Sequence, residues 1–254
     1  MAAAAAAAAE TKNVNELLEE EEEQKKRDGE ATVRMIGPLV FMIVTGGQLL
    51  NQSRPLLVNS ITQGNTMLTA TMLSRFAALG GAAEFLLNPV IGRLSDRFGR
   101  RPMLLTSPIT CAVLRGAVFA FPSSAEVIMV ERMLSSAVVT GFFSTMRAML
   151  NDKLSMEALV IASGNISVFA GLGVMLGPFI ETFVLSMFGA RGNFLAVALI
   201  NVVVSIVMFK TAKETLPVSE QKPINLIDCS PLSFFKMLRT VRKPAAAFCS
   251  IFWF

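Results

Sequence analysis

The chain has no histidine, only three cysteines, and charge on just 17% of its 254 residues. Without histidine, imidazole metal sites and imidazole general bases are excluded. Cys111, Cys229 and Cys249 form no pair with metal-ligand spacing. No nucleophile–base pair, phosphate-binding loop or metal cluster appears, so the sequence does not read as an enzyme and no cofactor or metal is expected. The start of the chain lacks the apolar core of a signal peptide. Its acidic run, Glu19–Glu23, is foreign to a transit peptide.

What fills the space is apolar. Hydrophobic residues make up 53% of the chain, and mean hydropathy is +0.56. They gather in runs of about twenty residues, the length a helix needs to cross the hydrocarbon core of a bilayer. A β-barrel would show short alternating segments instead. The fold class is therefore an all-α, multi-pass membrane protein. Six spans are predicted near residues 35–51, 68–91, 102–121, 125–149, 158–183 and 192–210. Residues 1–32 form a low-complexity tail expected to be disordered, 33–212 a six-helix bundle, and 213–243 a polar central loop. The last stretch, 244–254, reads as the start of a truncated seventh helix, with an interfacial anchor as the alternative, because eleven residues cannot span a bilayer.

The net charge of +4 lies beside the spans rather than on a separate basic surface, so a lipid bilayer and not nucleic acid is the expected partner. Lysine and arginine fall before span one, between spans two and three, between four and five, and after six. The other side receives only Arg54 and Arg191. By the positive-inside rule, the N-terminus and the central loop are cytoplasmic.

One short stretch interrupts the apolar pattern. Gly92, Leu94, Ser95, Asp96, Arg97, Gly99, Arg100 and Arg101 lie between spans two and three. Glycines 92 and 99 permit sharp turns, and Asp96 can pair with arginine or with helix-end N–H groups. A positive-inside stop signal explains the arginines but not the order Gly-x-Leu-Ser-Asp-Arg-x-Gly-Arg-Arg. That order resembles the signature loop of the major facilitator superfamily, in the place where the family carries it. The resemblance implies two six-helix halves around a central path, working by alternating access. It also implies that these residues are a cytoplasmic latch favouring the outward-facing state, with Asp96 meeting a helix of the second half. That half is missing from this sequence, so a C-terminal half or a partner chain is implied. Asp152 is a candidate partner for one of the arginines.

Span five carries Gly164, Gly173, Gly177 and Pro178. The spacing resembles the antiporter motif of the drug:proton antiporter branch, which includes tetracycline-efflux proteins. In physical terms, Gly173 and Gly177 make a small face for close helix packing, and Pro178 allows a bend. Where the motif continues into two glycines, this chain has Glu181 and Thr182. Arg132 resembles the buried arginine of the family's proton-linked motif, although Ser135 and Ser136 replace its glutamine and glycine. Lys213–Pro217 resembles a sequence often found after the sixth helix.

Ionisable groups inside spans are costly and are functional candidates. At about 1.5 Å per residue, Arg75, Arg115 and Arg132 lie roughly 10 Å below the outer surface, and Glu84 lies deeper. Together they suggest an electropositive outer-half cavity for anionic or zwitterionic solutes, with Arg132 and Glu84 the leading proton or substrate residues. Arg75 and Arg115 could equally snorkel to headgroups. Glu131 shares the level of Arg132 but points to another part of the helix face. In span one, Gly46 and Gly47 suit close packing, Gln48 could bond substrate, and Asn51-Gln52-Ser53 is a glycosylation sequon close to the membrane.

The function expected is transport of a small organic solute, coupled to protons. Two alternatives stay open: a facilitative, uniporter-like or sugar-porter-like carrier, and a non-transporting half that dimerises with or regulates a partner.

Overall fold

The computed structural model describes residues 34–212, and those residues are helices joined by short turns. The tail, the central loop with Lys213–Pro217, and the stretch 244–254 lie outside the described residues. The helices are α1 (34–48), α2 (Ser53–Ile61), α3 (Thr66–Phe98), α4 (Arg100–Ala120), α5 (Ala125–Lys153) and α6 (Met156–Thr211). Among the described residues, α4, α5 and α6 are long and apolar enough to cross a membrane.

Local chemistry sets the boundaries. Asn65, Ser124 and Ser155 each accept a hydrogen bond from a first-turn N–H, at Leu68, Val127 and Ala158, which starts α3, α5 and α6. Pro122 follows the end of α4 at Phe121, where a helix cannot continue through the missing N–H. Inside α6, Gly189 takes φ 67° and ψ 177°, a conformation open to glycine, and divides the helix into two limbs. The sequence predicts a loop between spans five and six. The structure replaces it with this single break.

The predicted loop at 92–101 is corrected more sharply. α3 runs through the motif to Phe98 and α4 begins at Arg100, so Gly99 alone makes the turn, with φ 97° and ψ 161°. Gly92 is helical and turns nothing. Asp96 and Arg100 can bond across this turn because the charged residues belong to helix ends, not to a flexible linker.

α3 packs on α5, α4 on both α5 and α6, and α2 on α6. Small residues set the close approaches. A Cβ at Gly141 would lie 2.7 Å from Ile91, and one at Gly173 would lie 3.1 Å from Val44. Two apolar clusters fill the bundle. One, built on Leu39, Val40, Leu104, Phe142, Met149 and Met208, lies at the Gly99 end. The other, built on Leu50, Val58, Phe76, Val118, Ile128 and Phe194, lies at the α2 end. α4, α5 and the second limb of α6 each give one end to each cluster, so neighbouring helices alternate in direction. α2 was not foreseen. Its nine residues fill part of what the sequence presents as a connection between spans one and two.

Candidate functional site

At the Gly99 end, Arg100 is the hub. It donates to Asp96 at 2.6 Å, to Ser95 at 3.1 Å and to Asp152 at 3.2 Å. The motif's turn is thereby tied to the end of α5. Arg101 donates to the Phe209 carbonyl at 2.7 Å and lies over the Phe209 ring, which ties the start of α4 to the end of α6. Ser95 and Gly99 are buried, whereas Arg97 is exposed. Asp96 and Asp152 keep 35% and 27% of their side-chain surface.

At the α2 end the charges are buried. Glu131 on α5 is 0% exposed and Arg115 on α4 is 4% exposed. Arg54 on α2 donates to Glu131 Oε2 at 2.9 Å. Arg115 Nε lies 3.6 Å from Glu131 Oε1. That separation carries attraction between charges but is too long for a hydrogen bond, and neither atom has a hydrogen-bond partner. Two guanidinium groups thus converge on one carboxylate. Arg132 is half-buried beside them. Arg54 repels it, while Glu131 and Glu84 attract it.

A second buried carboxylate lies next to this cluster. Glu181 on α6 is 0% exposed. Its Oε1 accepts the Gln52 N–H at 2.8 Å, the Ser53 N–H at 2.9 Å and the Ser53 hydroxyl at 3.0 Å. These donors are the N-terminus of α2, where free N–H groups and the helix dipole favour negative charge. Asn193, just past the Gly189 break, donates to Ser53 Oγ at 2.6 Å. Residues 52–54 therefore contact both buried carboxylates, Glu131 through the Arg54 side chain and Glu181 through backbone and hydroxyl.

Several expectations are placed differently by this geometry. Arg54, predicted in a loop, is helical and ion-paired. Arg115 is enclosed rather than reaching for headgroups, and it meets Glu131. Arg75 is exposed and is not brought to the cluster, and Glu84 is partly buried. Arg54 and Arg115 close on Glu131 rather than lining an open electropositive cavity. Gly173 and Gly177 do carry close packing, against Val44 and Gln48 of the first helix, but Gly164 is exposed with nothing near it. Gly46 abuts Val197, whereas Gly47 has no neighbour. Gln48 accepts from Asn51. Within the sequon, Asn51 is exposed, while the Ser53 hydroxyl is buried and bonded to Glu181. Among the described residues, no group of three or more Cys, Asp or Glu is placed to hold a metal ion.

Sequence reasoning did not select Arg54, Glu131, Glu181 or Asn193. A signal for Glu181 existed: Gly173, Gly177 and Glu181 repeat every four residues, so a carboxylate continues the small, buried stripe of α6.

Comparison with known proteins adds three findings. The sequence profile of the Major Facilitator Superfamily matches residues 36–254. The multi-drug resistance efflux pump PmrA of Streptococcus pneumoniae is 29% identical over 140 residues, 55% of this chain and 35% of that protein. The class B tetracycline resistance protein of Escherichia coli is 33% identical over 139 residues, 54% of this chain and 34% of that protein. The chain thus spans about a third of the length of these relatives. Among solved structures, the human organic anion transporter MFSD10 superposes with a TM-score of 0.65 at 21% identity, over 79% of this chain and 52% of that one. That likeness concerns the fold.

Proposed function

The chain belongs to the major facilitator superfamily and is an integral membrane protein, and from that premise we propose that it acts as the N-terminal half of an alternating-access transporter of small organic solutes. Six passes fit the fold: α1, α3, α4, α5 and the two limbs of α6, with both termini of the described bundle at the Gly99 end. The arginine-rich motif lies at that end, which is cytoplasmic in this reading. Arg100 and its carboxylate partners hold α3, α4 and α5 together there as the latch. A seventh helix and a second half, or a partner chain, complete the path.

The observation that carries the solute class is the convergence of two guanidinium groups on one carboxylate at the α2 end. Arg54 and Arg115 share Glu131, and Arg132, half-buried, follows it on α5. An anionic or zwitterionic solute can compete with Glu131 for these groups once the outer end opens. The names of the relatives, an efflux pump and a tetracycline resistance protein, support export. Coupling to protons is the driving force in this reading, with Arg132 and Glu84 beside the path.

The test is accumulation of tetracycline and of fluorescein, an organic anion, in drug-sensitive cells expressing this chain together with the half that completes the path. We expect lower accumulation of at least one probe than in vector controls, reversed by a protonophore. Unchanged accumulation of both, with the protein present in the membrane, would overturn export of this solute class. Lower accumulation that a protonophore leaves intact would remove proton coupling.

A further inference from the structure

The two buried carboxylates differ in what their charge is balanced against. Glu131 faces two guanidinium groups. A proton added to it would leave both arginines buried without a counter-charge, which is strongly unfavourable. Glu181 has no ion pair among the described residues. The charged groups on the surrounding elements are Arg54 on α2, Arg115 on α4, Glu131 and Arg132 on α5, and Arg191 on the second limb of α6. Arg54 is committed to Glu131, and Arg191 donates to the Phe119 carbonyl and lies over the Phe119 ring. A proton on Glu181 strands no cation.

The hydrogen bonds around Glu181 also leave room for a proton. All three donors go to Oε1, and Oε2 is buried with no donor. Asn193 uses its amide N–H on Ser53 and on the Glu181 backbone carbonyl, and its own Oδ1 is buried with no donor. Two side chains linked through Ser53 therefore each keep a buried acceptor without a donor, and an unmet buried polar atom is costly. A hydrogen on Oε2 turns one of these unmet acceptors into a donor.

We propose that Glu181 carries the exchanged proton, and that its charge state sets how tightly the N-terminus of α2 is held. This assignment rests on the proton-coupled reading above. Ionised, Glu181 accepts three charge-assisted hydrogen bonds and fixes residues 52 and 53. Protonated on Oε2, it offers the same α2 donors a neutral oxygen, and such bonds are about half as strong. The N-terminus of α2 loosens, and with it the segment that also carries Arg54 to Glu131. The proton thus releases both contacts at the outer end through residues 52–54.

The experiment is amide hydrogen exchange across residues 52–61 of the full chain in lipid nanodiscs, at acidic and alkaline pH, corrected for intrinsic exchange. We expect protection of α2 to drop at least about tenfold on acidification, the factor that corresponds to losing charge assistance from more than one bond. Glu181→Gln, a neutral isostere, is expected to show the weakly protected state at both pH values. Wild-type protection that ignores pH, or Glu181→Gln matching the wild type, would overturn the proposal. Should Glu181→Gln not yield monodisperse protein, Glu181→Asp keeps the carboxylate but withdraws it from Ser53. A displaced transition midpoint supports the proposal, and an unmoved one overturns it. Tetracycline export is a separate readout. Its absence beside a pH-dependent, Glu181-dependent α2 counts against the transport reading and leaves the protonation of Glu181 supported.

Discussion

The two ends of the bundle handle charge in opposite ways. At the Gly99 end, Arg100 joins Asp96 and Asp152, whose side chains are still a quarter to a third exposed. Solvent screens these pairs, and Asp96 and Arg100 are one helical turn apart in sequence. At the α2 end, Glu131 and Glu181 are fully enclosed, and their partners lie 77 and 128 residues away. The first end can rearrange at little cost. The second holds its contacts until the charge on a carboxylate changes. In the proposed transport cycle the first end is a cheap latch and the second a conditional clasp.

Substitutions sharpen this contrast. The largest effect is expected from Glu131→Gln, which leaves Arg54 and Arg115 buried without a counter-charge. A loss of about 3–5 kcal/mol is the usual result of breaking a buried pair from one side. Loss of helical circular dichroism on heating in detergent would report it as a strongly lowered midpoint. Gly177→Leu comes next. Its side chain would enter the space of Gln48, and overpacking of this kind costs about 1–3 kcal/mol. The matched control Gly164→Leu, at an exposed position with no neighbour, is expected to be neutral in the same assay. At the other end, Asp152→Asn removes one partly exposed pair and should cost about 1 kcal/mol or less, with an effect that shrinks as salt is raised. Smallest is Arg75→Ala, exposed and unattached to either cluster, expected within about 0.5 kcal/mol of the wild type. If Asp152→Asn proved as damaging as Glu131→Gln, the two ends would not differ in the way described.

The parts that could be read from sequence share one property: their partners are near in the chain or their pattern is periodic. Apolar runs place the starts of α3, α4, α5 and both limbs of α6 to within about two residues, because length and hydropathy are local quantities, but α3 runs on to Phe98, past the predicted end at 91. The arginine-rich motif is recognisable because its residues are consecutive, and Asp152 as a partner for one of its arginines follows from helix ends meeting on one side. The α2 end resists the same reading. Arg54 looks like loop charge because its partner is on α5. Glu181 looks like a departure from a glycine motif, since nothing near it announces that the α2 N-terminus will point at it. Ser53 reads as part of a sequon, and nothing local to it announces that its hydroxyl bonds that carboxylate. Glu131 and Arg132 are neighbours in sequence, yet the helix buries one fully and the other by half.

The central claim is that the α2 end is held by specific buried charge pairing rather than by apolar packing alone. A double-mutant cycle on Arg54→Gln and Glu131→Gln, read from unfolding midpoints in detergent, tests it most directly. The account predicts that the double variant is less destabilised than the two single losses summed, by about 1–3 kcal/mol, as for residues in direct contact. Losses that add to within about 0.5 kcal/mol would mean the two residues act independently, and the buried clasp described here would not exist.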